Sequence, residues 1–125
     1  AWDPLGSHEV HTKLTAYLER QGKIGVTALF ANSDVVAFVA VRILQEHGYV
    51  VPDDIAVAGF DNTFLAREAC PQLTSVSQPV TEMARFAVEH LLERIAGRQT
   101  EQSLKIVLEP TLVIRDSTHK AKVLA

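Results

Sequence analysis

The stretch Val51-Pro52-Asp53-Asp54-Ile55-Ala56-Val57-Ala58-Gly59-Phe60-Asp61-Asn62 constrains this chain more than any other part of it. Pro52 bars the residue before it from helix, and Asp53-Asp54 supplies a solvated turn. Ile55 to Phe60 is then a continuous apolar run with no polar alternation, as in a parallel strand covered on both faces. Asp61 and Asn62 follow where that strand would leave its sheet. In open α/β sheets ligands bind at the carboxyl ends of the strands, so Asp61 is the best-placed acid in the chain for contact with a ligand.

The flanking segments alternate between helical and strand periodicity. From Ser7 to Gln21 the residues Val10, Leu14, Tyr17 and Leu18 fall on one helical stripe, and Gly22 suits the stop. Ile24 to Ala31 reads as a second buried strand. Asn32-Ser33-Asp34 can cap the helix after it, which runs from about Asp34 to His47. In that helix Val36, Ala40, Ile43 and Leu44 form the face expected to cover the sheet. Val35, Phe38 and Val39 make a second apolar strip near Arg42 and Glu46, which calls for a second surface, either another subunit or a neighbouring part of the same chain.

Beyond Asp61 a short helical piece, about Thr63 to Ala69, stops at Pro71, and Leu73 to Gln78 is strand-like. Pro79 opens a helix whose expected buried stripe is Val80, Ala84, Ala87, Val88, Leu91 and Ile95, and Gly97 ends it. Leu104 to Leu108 and Thr111 to Arg115 read as two short strands joined at Glu109-Pro110, and the tail beyond Asp116 is expected to be loosely held. Strands alternating with helices imply right-handed crossovers, hence an α/β fold with a mainly parallel sheet and flanking helices. Only Ile24–Ala31 and Ile55–Phe60 are expected to be central. So thin a sheet suggests a piece of something larger, or pairing with another copy.

Composition narrows the function. A chain of 125 residues has room for one domain, and a net charge of −3 argues against its gripping nucleic acid by itself. No apolar run approaches membrane-spanning length and no signal peptide opens the chain, so no membrane partner is expected. The single cysteine, Cys70, fits a reducing cytoplasm and has no evident activating partner. His8, Glu9 and His11 have no third or fourth ligand at a recognised spacing, so no metal is expected, and nothing implies a cofactor. No G-x-G-x-x-G, P-loop, G-x-S-x-G or H-E-x-x-H occurs, and catalysis has no positive support.

At Asp61 a ligand acceptor, a phosphate-accepting aspartate, a catalytic acid and a simple turn or cap all remain open. Ser33 lies at the same end of the other central strand, where it and Asp34 either line one pocket with Asp61 or cap the helix. Trp2 offers an aromatic face for a sugar or a base, or is an ordinary packing residue.

Ala31-Asn32-Ser33-Asp34-Val35-Val36-Ala37, the stretch from Gly48 through Asn62, Pro71 through Pro79, and Glu109 through Thr118 together closely resemble the lactose-repressor/galactose-repressor family of bacterial transcription regulators. The resemblance covers roughly residues 24 to 118, with several motifs in order and spacing. It implies a truncated sensor lobe of the periplasmic-binding-protein-like (type I) kind. Residues 1–76 and 104–118 would belong to the C-terminal lobe. Residues 77–103 would pack on an N-terminal lobe that this chain lacks, leaving the Val80–Ile95 stripe uncovered. It further implies that Asp61, Ser33, Asp34 and Trp2 line the pocket of a small sugar-like or nucleoside-like effector. Val35, Phe38, Val39, Arg42, Phe64, Glu68 and Cys70 would lie at a homodimer contact. Operator DNA would be bound only through a helix-turn-helix domain outside this chain, and the protein would be cytoplasmic. A periplasmic-type solute-binding protein of a transporter shares the fold and is the alternative the resemblance leaves.

Overall fold

A computed structural model of the chain describes residues 7–21, 25–98 and 105–119. Its elements are α1 (Ser7–Gln21), β1 (Ala28–Phe30), α2 (Asp34–Glu46), β2 (Ala56–Phe60), α3 (Phe64–Glu68), β3 (Thr74–Ser77), α4 (Val80–Ile95) and β4 (Thr111–Val113). They fall into two units, residues 1–77 with 112–125, and residues 78–111.

The first unit is built on the sheet, ordered β1-β2-β3-β4, with β1/β2 and β2/β3 parallel. This is the α/β architecture that the alternating periodicities imply. Local chemistry sets the boundaries. The Ser33 hydroxyl accepts from the Val36 N–H and caps α2, and Gly48 takes φ +82 just after that helix, a conformation that costs glycine little. Before β2, the Asp54 carboxylate accepts from the Val50 N–H at 2.7 Å and closes the expected turn. The core gathers Ala37, Val41, Ile43 and Leu44 of α2 against Ile55, Val57 and Leu73, with Leu18 of α1 and Ala66 and Ala69 of the α3 region. Gly59 lets α2 approach this closely, because a Cβ there would sit 2.5 Å from Asp34 Oδ1 and 3.2 Å from Ala37 Cβ.

Four expectations need correction. The strand expected over Ile24–Ala31 is only Ala28–Phe30, and it is an edge strand whose Phe30 is 64% exposed; β2 and β3 are the central pair. An apolar run marks a strand but does not count its neighbours. In β2 burial alternates, with Val57 and Gly59 buried and Ala56, Ala58 and Phe60 only partly covered, so one face is closed and the other half open. Residues 105–108 form no strand. The chain just beyond Asp116 is not loose, since Ser117 is fully buried. Its Oγ accepts from the Thr74 N–H and donates to the Val57 carbonyl, and its own carbonyl accepts from the Val57 N–H.

The second unit is chiefly α4, which ends before Gly97 at φ +68. Its apolar stripe forms as expected, but no residue of α4 is buried, and Ile95 is 73% exposed. Helical periodicity creates an apolar face without supplying the surface to cover it.

Candidate functional site

The register Phe30↔Ala58, continued by the Ala31 N–H to Ala58 carbonyl bond, brings the ends of β1 and β2 level. Ser33 and Asp61 therefore emerge at the same carboxyl edge of the sheet, each three residues beyond a paired position. Asp61 is exposed, and its N–H donates to the Val76 carbonyl at 2.8 Å. Asp61 (φ 97) and Asn62 (φ 50) are consecutive left-handed residues. Such conformations cost non-glycine residues about 1–3 kcal/mol each unless local bonding offsets them, and they persist where the surroundings hold them.

The surroundings here are a connected polar network. The Asn62 N–H donates to Ser75 Oγ at 3.0 Å, and Ser75 Oγ donates in turn to Asp34 Oδ1 at 2.6 Å. The Thr63 N–H and hydroxyl both donate to Asp34 Oδ2. Asn62 Nδ2 donates to Ser77 Oγ, while Arg115 Nη2 donates to Asn62 Oδ1 at 2.6 Å and Arg115 Nη1 to the Leu73 carbonyl at 2.7 Å. Three strand ends and the returning C-terminal segment thus fix one corner. The buried Ser75–Asp34 bond is strengthened by its low-dielectric surroundings, and the half-buried bonds linked to it brace what they hold.

The expected site residues fare differently. Asp61 stands on the corner, open to solvent. Asp34, expected in the pocket, is fully buried, with its carboxylate oxygens accepting from Thr63 and Ser75. Ser33 caps α2 and also lines a cleft of about 590 Å³ between α1, β1 and α2, with Tyr17, Leu29, Asn32 and Val36 among its walls. Asp61 is not one of those walls, so this cleft is not one the two residues share. Trp2 lies outside the described residues. Nothing in the sequence marks Asn62, Ser75 and Arg115 as members of one network, because their partners are far apart along the chain and follow no period.

On the other side of α2, Phe38 and Val39 are half-buried, pack against the core and line a second cleft with His8 and His11 of α1. The second apolar strip is thus covered in part by the same chain. Arg42 and Glu68 are exposed, as are the Cys70 thiol and Phe64, while Val35 is half-buried. Among the described residues no group of three or more His, Cys, Asp or Glu side chains could hold a metal ion, and no helix is long and apolar enough to cross a membrane.

Comparison with known proteins fits this geometry. Residues 6–118 match the periplasmic binding protein-like domain. The chain belongs to that family. Its relatives are LacI-family regulators, as the lactose-repressor/galactose-repressor resemblance implies. The HTH-type transcriptional regulator DegA of Bacillus subtilis is 47% identical over 96 residues, which is 74% of this chain and 27% of DegA. The structure of a transcriptional regulator CelR–cellobiose complex superposes with a TM-score of 0.80 at 36% identity, over 89% of this chain and 33% of that one. A LacI family transcriptional regulator from Arthrobacter sp. FB24 in complex with lactose gives 0.79 at 29% identity, over 90% and 41%. The chain therefore spans between about a quarter and two fifths of the proteins it matches.

Proposed function

We propose that this chain is the effector-sensing and dimerisation part of a cytoplasmic bacterial transcription regulator and is not an enzyme. The carboxylate of Asp61 accepts hydrogen bonds from the hydroxyls or amines of a small sugar-like or nucleoside-like ligand. The observation that carries this reading is Asp61 held outward on a braced left-handed corner at the carboxyl edge of a parallel sheet, where α/β folds bind ligands. The cellobiose and lactose complexes of two relatives support a sugar. Ser33 lines the approach, Trp2 stacks on the ligand, and parts of the protein beyond this chain complete the pocket and carry the helix-turn-helix that binds operator DNA. A homodimer forms through Val35, Phe38, Val39, Arg42, Phe64, Glu68 and Cys70. Ligand binding favours one lobe arrangement and thereby changes operator affinity. The relatives are named as regulators, which does not favour transport.

Calorimetry of full-length protein against cellobiose, lactose and adenosine tests this. Losing a hydrogen bond to a charged group is worth about 1.5–3 kcal/mol, so Asp61→Ala is expected to weaken binding about 10- to 100-fold with the fold intact. Unchanged affinity for every probe that the parent binds removes Asp61 from the site.

A further inference from the structure

The side-chain amide of Asn62 is gripped at the two places where the chain leaves and re-enters its first unit. That unit runs to Ser77 and resumes at Leu112, with residues 78–111 forming an excursion between them. Asn62 Nδ2 donates to the hydroxyl of Ser77, the last residue before the excursion. Arg115, just after the return, donates to Asn62 Oδ1 and anchors its other amino group on the Leu73 carbonyl. One carboxamide therefore spans both connections, and it belongs to the residue next to Asp61, in a left-handed pair that only its surroundings hold in place.

We infer that Asn62 is a positioning residue that ties the Asp61 corner to both connections of the 78–111 excursion, with Ser77 and Arg115 as its anchors. This extends the reading of Asp61 as a ligand contact and rests on it for its regulatory meaning. A shift of either connection lengthens or turns one of the two bonds and so re-aims the corner. A ligand that fixes Asp61 in turn favours one placement of the connections, because linkage of this kind is reciprocal. Arg115 suits the task because its planar fork reaches two acceptors at once, which a lysine cannot match.

Amide hydrogen exchange in the full chain tests the tie without any ligand. Asn62→Gly keeps the left-handed backbone at no steric cost and deletes the carboxamide, and the anchor variants separate that loss from glycine's added backbone freedom. It is expected to speed exchange of the Asp61 and Thr63 amides about tenfold, with the core Val57 amide unchanged. Ser77→Ala and Arg115→Met should each produce part of that effect in the parent and none in the Asn62→Gly background. Normal protection at Asp61 and Thr63 in Asn62→Gly, or equal effects of the anchor variants in both backgrounds, overturns the inference. Should Arg115→Met fail to fold, the Ser77→Ala and Asn62→Gly pair carries the same test. Binding of cellobiose, lactose or adenosine that survives Asp61→Ala would sink the ligand reading while the exchange pattern still decides the tie.

Discussion

Helices α2 and α4 are both amphipathic, of 13 and 16 residues, yet they end in opposite environments. In α2 six residues are buried, one of them the charged Asp34; in α4 none is. The difference lies in what each helix meets. β2 offers α2 a strand with glycine at position 59, so the backbone comes close enough for Asp34 to reach Thr63 and Ser75. α4 presents Val80, Val88, Leu91, Leu92 and Ile95 to solvent. An apolar stripe is a demand for a partner, and only the partner turns it into stability.

The widest gap between the two helices should open at Asp34. Asp34→Ala takes the acceptor from the buried Ser75 hydroxyl and from the N–H and hydroxyl of Thr63, a residue exposed to water. Losing the bonds to this acceptor and leaving the buried Ser75 hydroxyl without it should cost about 2–4 kcal/mol in urea unfolding, while Thr63 can turn to water. Asp34→Asn should recover part of it, since one amide oxygen still accepts. A loss below about 1 kcal/mol would mean that water replaces the carboxylate and that α2 is held by apolar packing alone.

Much of this contrast was legible in sequence, but unevenly. The span of α1, the start of α2 and the buried Ile55–Val57 entry to β2 follow from periodicity and from Ser33, Gly48 and Pro52 acting locally. The carboxyl-edge position of Asp61 follows from the same reasoning. The burial of Asp34 does not, because an acid at a helix start looks like a cap and its true partners lie 29 and 41 residues away. Ser117 and Arg115 were hidden for the same reason, since each acts through bonds to residues about 40 to 60 positions earlier. Phe30 shows the opposite limit, an apolar residue read as buried because nothing in a single sequence says that its strand stands at an edge.

A smaller effect isolates the close approach itself. Gly59→Ala places a methyl 2.5 Å from a carboxylate oxygen that hydrogen bonding holds in place, and 3.2 Å from Ala37 Cβ. Neither neighbour is the loose end of a flexible side chain. Overpacking of this kind costs about 1–3 kcal/mol, and chemical denaturation should show it as a lower midpoint with an unchanged slope. Combined with Asp34→Ala the cost should shrink, because the oxygen it strikes is gone. Full additivity would place the clash on the α2 backbone instead.

The smallest expected effect is the most informative about α4. Leu91 is 57% exposed, so Leu91→Ala removes little buried surface and exchanges one good helix former for another. Its effect should stay within about 0.5 kcal/mol, the range of surface substitutions, whereas an equally long side chain in the α2 core, Leu44, costs about 2–5 kcal/mol when cut to alanine. Unfolding of the Leu91 variant at two protein concentrations at least tenfold apart sharpens the comparison. A loss of 2 kcal/mol or more that grows with concentration would show that copies of the chain cover this stripe in solution, since stability then depends on association by mass action. A loss of that size independent of concentration would show that α4 is covered within its own chain, and the two helices would no longer differ in kind.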